Sequence, residues 1–426
     1  MFDVREKPKM VERAYLVGIA GPGETEEEAA SLLEELEDLV CTLEIGIVGK
    51  EVARMRQRQA RYLLGSGKME EIVNKAKALK ADCLVFDAEL SPAQQRNWES
   101  ASGILVIDRE EVILDIFSER ASTREAVLQV ELARAQHSLP RLKNAWTHLS
   151  RQRGGGGVTQ RGEGEAQIEL DARMVRQRIA KLRKELEAVV RHRQTQRKQR
   201  QKVPVPTAAI VGYTNAGKST LLNSLTGADV LSEDKLFATL DPTTRQLQLP
   251  AGQKLLLTDT VGFVRRLPHQ LVEAFKATLE EAVLADFLVH VVDVSNPEYK
   301  EQEETTFEVL KELGAEDKSI VTVYNKIDQC EESLAGGPRS QKTAKIYASA
   351  HTCEGLDLLI QEFERQLENR LITMELLIPF NRYDLVSQLH DQGTVREEHP
   401  EDNGVYLVGN VPARLRASYE PYITKM

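Results

Sequence analysis

Apolar positions change period twice along the chain, and the changes mark its domains. In residues 14–118, short β-branched or Leu-rich runs at 14–20, 43–48, 82–86 and 104–107 read as strands. Stretches with helical spacing lie between them at 25–40, 68–79 and 92–99, with Ser91 as a natural N-cap for the last. Alternating strands and helices predict a small, mostly parallel sheet with covering helices. From Glu125 the steps lengthen. Leu128, Leu132, Ala135, Leu139, Leu142, Trp146 and Leu149 follow a heptad, and Ile168, Val175, Ile179, Leu182, Leu186 and Val189 repeat it. Two such seams predict an antiparallel helical hairpin with a kink at Pro140. The prolines of Val203-Pro-Val-Pro206 close that segment, and strand–helix alternation resumes from Thr207 to about Glu368. Beyond Met374, short strand-like runs at 375–378 and 404–408 flank an acidic loop at 396–403. The expected architecture is α/β throughout: a small α/β domain (1–124), the hairpin (125–202), a second α/β domain (203–372) and a small α+β tail domain (373–426).

Charge sharpens the picture of the hairpin. The 426 residues carry a net charge of −10, yet residues 172–202 hold twelve Lys or Arg against Glu185 and Glu187, a local +10. A basic block in an acidic chain can seat one face on a polyanion; a solvated helix face is the plainer reading. The hairpin tip, residues 151–164, has six glycines with Arg151, Arg153 and Arg161 in fourteen residues. That is more than a helix connection requires, and it combines close backbone approach with phosphate neutralisation. We therefore expect nucleic-acid contact by the three arginines, with a flexible linker as the other reading. Leu64-Gly-Ser-Gly-Lys68 is a Gly-rich turn before a helix, either touching a phosphate or serving structure alone. Cys41, Cys83, Cys330 and Cys353 show no metal-like spacing and read as free thiols. The longest apolar run, 287–294, is broken by His290 and Asp293, so no membrane span is expected, and the N-terminus lacks a signal-peptide core.

The chemistry is concentrated in the second α/β domain. A buried strand at 208–211 leads into Gly212-Tyr213-Thr214-Asn215-Ala216-Gly217-Lys218-Ser219 and then a helical run. This is the G-x-x-x-x-G-K-[ST] phosphate loop in its strand–helix setting. Its glycines leave backbone N–H groups open to phosphate, Lys218 reaches the β- and γ-phosphates, and Ser219 holds Mg2+. A strand at 319–324 ends in Asn325-Lys326-Ile327-Asp328, where a carboxylate can accept from the N1–H and 2-amino group that guanine has and adenine lacks. Ser349-Ala350-His351 follows a further short strand and suits a backbone contact to the guanine oxygen. Between these, Asp259-Thr260-Val261-Gly262 can approach Mg2+ through Asp259 and sense the γ-phosphate through the Gly262 N–H. Phe237-Ala238-Thr239-Leu240-Asp241 is a plausible first switch, with Thr239 closing on Mg2+ and γ-phosphate; Thr243 and Thr244 are competitors. Lys218, Thr239 and Gly262 are the candidates for catalysis. Phe263 stands where many GTPases carry a water-orienting glutamine. A slow basal GTPase is expected, accelerated by a partner or by K+, with Asn215 a candidate to help the ion.

Taken with the hairpin, these motifs resemble the HflX family of ribosome-associated GTPases over nearly the whole chain. Leu-Leu-Gly-Ser-Gly-Lys (63–68), Leu-Ser-Pro-Ala-Gln-Gln-Arg-Asn (90–97), the Gly-rich tip and the nucleotide motifs carry the likeness. The resemblance implies a cytoplasmic, monomeric factor that binds rRNA of the large ribosomal subunit, is stimulated by the ribosome and in some members splits stalled or idle particles under stress. It also implies peripheral membrane association for part of the population and, in some members, nucleotide binding by the N-terminal domain. The chain departs at the tip, where the usual R-G-P-G-E-T-x-L-E reads Arg161-Gly-Glu-Gly-Glu-Ala-Gln-Ile-Glu169, placing the Glu163 carboxylate near where phosphate is expected. The rival classes are a GTP-dependent switch acting on a protein and an RNA-modifying enzyme; no second catalytic constellation supports the latter.

Overall fold

The computed structural model describes residues 11–145, 159–200, 205–227, 236–237, 239–250, 252–266, 281–330, 343–368, 371–412 and 415–424. The chain divides into two units. One comprises residues 1–192 with 233–241 and 265–277; the other comprises 193–232, 242–264 and 278–426.

In the first unit, β1 (Arg13–Ala20), β2 (Gly46–Arg54), β3 (Cys83–Phe86) and β4 (Leu105–Asp108) form a parallel sheet ordered β2-β1-β3-β4. Helix α1 (Glu26–Thr42) starts from a capping box in which Thr25 accepts from Glu28 N and Glu28 answers the Thr25 N–H. Helices α2 (Ser66–Ala78) and α3 (Pro92–Ser102) follow, and Ser91 caps α3 as its sequence predicts. After the Gly-rich turn before α2, the Lys68 ammonium pairs with Glu51 at 3.2 Å and Glu71 at 3.1 Å. Strand β2 begins three residues later than its apolar pattern implies, because as an edge strand it is half exposed and tolerates Gly49-Lys-Glu51. The pattern does not foresee α4 (Arg109–Arg120). Its Val112, Ile113, Leu114, Ile116 and Phe117 are all buried, so no amphipathic period marks it.

Helices α5 (Arg124–Ala145) and α6 (Thr159–Arg200) form the expected seam. Leu128 and Leu132 are buried with Ile179 and Leu182, and Ala135, Leu139, Val175, Leu186 and Val189 pack around them. Pro140 lies within α5. The second half of the predicted tip is helix rather than loop, since α6 already runs through Arg161 and Gly164. A 42-residue helix propagates through two glycines because each costs only about 1 kcal/mol. Trp146, Leu149, Arg151 and Arg153 lie outside the described residues.

Burial in this unit includes charge. Arg109, at 4% exposure, donates to Asp87 at 2.7 Å and to Glu35, and Glu35 also accepts from Arg265 at 2.9 Å. Burial pushes the Asp87 pKa up, and the Arg109 guanidinium opposes that rise.

In the second unit, β5 (Thr207–Gly212), β6 (Thr243–Gln248), β7 (Lys254–Asp259), β8 (Phe287–Asp293), β9 (Ile320–Asn325) and β10 (Thr343–Tyr347) form a sheet ordered β10-β9-β8-β5-β7-β6. Only β6 runs antiparallel. The alternation along β5 sends Ala208 and Ile210 into one core and Ala209 and Val211 into the other, so both faces are covered. Helices α7 (Lys218–Thr226), α8 (Tyr299–Glu312) and α9 (Leu356–Glu368) complete this domain. The tail is an antiparallel sheet ordered β11-β13-β12, from β11 (Leu371–Ile378), β12 (Thr394–Glu401) and β13 (Gly404–Pro412). Its core gathers Leu376, Leu389, Leu407 and Tyr419, with α10 (Tyr383–Gln392) and α11 (Arg416–Tyr419). The acidic loop expected at 396–403 is instead mostly β12, an exposed edge strand whose acids and Pro400 face solvent at no cost to the ladder.

The buried ions generate the first prediction. Arg109→Met leaves Glu35 and Asp87 short of a countercharge and should destabilise the chain by about 3 kcal/mol or more in denaturant unfolding at pH 7. The deficit should shrink as pH falls and Asp87, whose pKa burial raises, takes up a proton.

Candidate functional site

Strand β5 lies inside the parallel sheet, and the turn at its carboxyl end feeds α7. Anions collect at such a place, because the helix N-terminus presents unpaired N–H groups to them. Gly217 caps α7 at φ +91°, and a Cβ there would stand 2.3 Å from Asn325 Nδ2. Only glycine fits. The turn is tied down by its neighbours: Thr214 N donates to Phe263 O at 2.8 Å and Phe263 N to Gly212 O at 3.1 Å. The Thr260 hydroxyl donates to Ile210 O at 2.7 Å. A Cβ on Gly262 would approach Thr214 Cα to 2.7 Å and Lys218 Nζ to 2.9 Å, so the glycine keeps the lysine against the turn.

Lys218 is buried and donates to Tyr213 O at 2.6 Å. Burial lowers its pKa to about 8, against the opposing pull of Asp259. A triphosphate would restore the charge that burial penalises. The Ser219 hydroxyl donates to Asp259 Oδ2 at 2.7 Å. A hydroxyl and a carboxylate side by side are hard oxygen donors that fit Mg2+, with Ser219 able to bind directly and Asp259 through water. Thr214 Oγ1 is a further buried oxygen, with no hydrogen-bond partner among the described residues.

Asn325 joins the loops. Its Nδ2 donates to Ala216 O at 2.8 Å, and its Oδ1 accepts from Ala350 N at 2.9 Å. Both ends of the carboxamide are thus engaged by backbone, and its work is to hold the 212–219 turn against the 349–351 loop. Ser224 adds a second tie, donating to Ala350 O at 2.6 Å. Lys326 turns the chain in a left-handed conformation at φ 64°, and its ammonium pairs with Asp293 at 2.7 Å. Asp328 follows in a 3-10 turn and is exposed rather than buried, ready to accept from a base laid across it. Tyr213, Val261 and Ser349 are buried, Ile327 is half-buried, and His351 and Asn215 are exposed.

Two groups are absent from the sequence reading of this site. His290 is fully buried beside Phe307, and burial together with the Lys218 charge lowers its pKa to about 3. Asp293 orients Lys326. Both were visible as the polar breaks in the 287–294 apolar run. Phe237, Thr239, Leu240 and Asp241 belong to the N-terminal unit, and Ala238 lies outside the described residues.

Three family models match: "GTP-binding GTPase N-terminal" over residues 30–118, "GTP-binding GTPase Middle Region" over 120–200, and "50S ribosome-binding GTPase" over 207–326. The GTPase HflX of Akkermansia muciniphila is 51% identical over 435 residues, covering 99% of both chains. The chain belongs to the HflX family. The GTPase HflX of Escherichia coli K12 is 40% identical over 89% of each chain. A solved GTP-binding protein of Sulfolobus solfataricus in complex with GDP aligns at 26% identity, covering 83% of this chain and 98% of its own, with a TM-score of 0.44. As a family member the chain is a GTPase.

Two measurements check the site. With Lys218 titrating near pH 8 when free and protonated against phosphate, GTP binding at pH 8 should take up about half a proton. Affinity should fall as pH rises from 7 to 9; calorimetry in buffers of different ionisation enthalpy reads both. Asp328→Asn should cut the preference for GTP over ATP by about tenfold or more in competition binding, since one acceptor for the guanine edge is replaced by a donor.

Proposed function

We propose that the chain is a GTP-driven factor of the large ribosomal subunit that splits stalled or idle ribosomes under stress and acts in the cytoplasm as a monomer. The observation that carries this reading is the pairing, in one chain, of the phosphate-loop and Asn-Lys-Ile-Asp motifs with a helix whose cations face outward. Along α6, Arg173, Arg176, Arg178, Lys181, Arg183, Lys184 and Arg191 are all exposed, while Ile179 and Leu182 are buried in the seam. A face of that composition binds phosphate backbone and releases counterions. The domain carrying the site matches a model described as a 50S ribosome-binding GTPase. Arg151, Arg153 and Arg161 would extend the same contact at the tip. No helix among the described residues is long and apolar enough to cross a membrane.

In the nucleotide cycle, backbone N–H groups of the 212–219 turn and Lys218 hold the phosphates. Asp328 selects the base. Ser219, with Thr239 from the first switch, would hold the Mg2+, and the ion would supply charge neutralisation at the γ-phosphate. The Gly262 N–H senses that phosphate. Phe263 is buried at 1% exposure and donates and accepts only through its backbone, so no side chain at that position orients water. Basal turnover is accordingly slow, and the ribosome supplies the missing order; K+ near Asn215 is a second accelerator.

Single-turnover GTP hydrolysis with and without purified large subunits tests the proposal. We expect at least about tenfold stimulation, together with pelleting on the subunit in a GTP analogue and release in GDP. Pelleting that ignores the nucleotide, or stimulation by an acidic protein but not by subunits, would replace the ribosome with another partner.

A further inference from the structure

The segment that carries Thr239 is built into the N-terminal unit on both sides of that residue. Before it, Leu236 and Phe237 are 7% and 2% exposed, and the Phe237 ring meets Phe117 of α4 edge-on at 4.7 Å. Phe237 adopts a left-handed backbone at φ 54°, unusual for an aromatic residue and sustained here by burial of the ring. After Thr239, Leu240 is 2% exposed, and Asp241 plants its carboxylate on the start of α5. Asp241 Oδ2 accepts from Ser122 N at 3.0 Å, Ser122 Oγ at 2.6 Å and Thr123 N at 3.0 Å, and Oδ1 accepts from the Thr123 hydroxyl. Thr123 in turn caps α5, accepting from Ala126 N at 3.2 Å. Burial would raise the Asp241 pKa, but the bonds from Ser122 and Thr123 outweigh it and hold the carboxyl below its ordinary value. The carboxylate is therefore charged at neutral pH, and charge-assisted bonds are the strong kind.

The connection onward is short and stiff: Pro242 fixes the backbone, and β6 starts at Thr243. Phe237 and Asp241 are thus held by α4 and by the start of α5. From this we infer that Asp241 is a positioning residue for GTP hydrolysis, holding the Thr239 segment on the first turn of the hairpin so that Thr239 reaches the Mg2+ and γ-phosphate from a fixed base. The inference rests on the role given to Thr239 above.

Full-length Asp241→Ala, Thr239→Ala and the double variant, assayed by single-turnover GTP hydrolysis and by binding of fluorescent GDP, decide the matter. We expect D241A to lower the hydrolysis rate about tenfold while GDP affinity stays within about threefold, because GDP has no γ-phosphate for Thr239 to meet. The double variant should be no slower than T239A, since Asp241 has nothing left to position. D241N, which keeps one acceptor for Ser122 and Thr123, should fall between D241A and the parent and covers the case in which D241A fails to fold. Wild-type or faster hydrolysis in D241A, or additive losses in the double variant, overturns the positioning role. If T239A itself hydrolyses GTP at the parental rate, the first-switch assignment fails instead.

Discussion

A triphosphate can be gripped tightly only where several backbone N–H groups converge and no side chain intervenes. In the reading proposed above, residues 212–219 meet that constraint. The sheet seats β5 between β7 and β8, the turn leaves its carboxyl end, and α7 supplies the positive end of its dipole. The cradle is not held by the turn alone. Asn325 clasps Ala216 on one side and Ala350 on the other, while Phe263 exchanges backbone bonds with Gly212 and Thr214. The Asn325 and Phe263 segments are therefore both hydrogen-bonded to the 212–219 turn. Misplacing any one of them disturbs the other two.

Electrostatics follow from the same packing. Lys218 is buried to serve a ligand that carries several negative charges, so its own charge is penalised until that ligand arrives. The neighbouring His290 answers by remaining neutral, as two adjacent buried cations would be intolerable. Asp259 compensates in part, and Ser219 bridges to it. The site is thus poised with weak positive charge in a dry setting, where each added phosphate oxygen is worth more than it would be in water.

The motifs of the proposed nucleotide site were legible in the sequence, because the chemistry expected of them demands particular residue types at fixed spacing. Gly217 follows from a left-handed turn against Asn325, and Lys218-Ser219 from phosphate and metal. The hairpin seam was legible for a different reason: a sustained heptad cannot be satisfied except by a second helix. Elements that satisfy weaker constraints escaped. Helix α4 is buried all round and lacks a period, while β12 is an exposed edge strand whose composition is that of a loop. The deeper omission concerns residues 236–241 and 265–266. No local pattern reveals that Asp241 reaches Ser122 or that Arg265 reaches Glu35, 119 and 230 positions away. Contacts at such separation are decided by tertiary packing, and short motifs carry no trace of them.

The two anchored segments are fastened by unlike chemistry, and the difference assigns them unlike parts. Arg265 and Arg109 converge on Glu35, with side-chain exposures of 16%, 4% and 8%, and the Arg265 carbonyl accepts from Arg109 at 3.0 Å. Removing Arg265 from that pocket would strand a buried carboxylate, a change that costs several kcal/mol. Asp241, by contrast, holds hydroxyls and amides at an exposed helix start, where water can replace each bond as it breaks. Within the N-terminal unit the segment at 265–266 is accordingly the more firmly held of the two, because no water stands ready to replace a buried ion pair, and the segment at 236–241 is the one that gives way first.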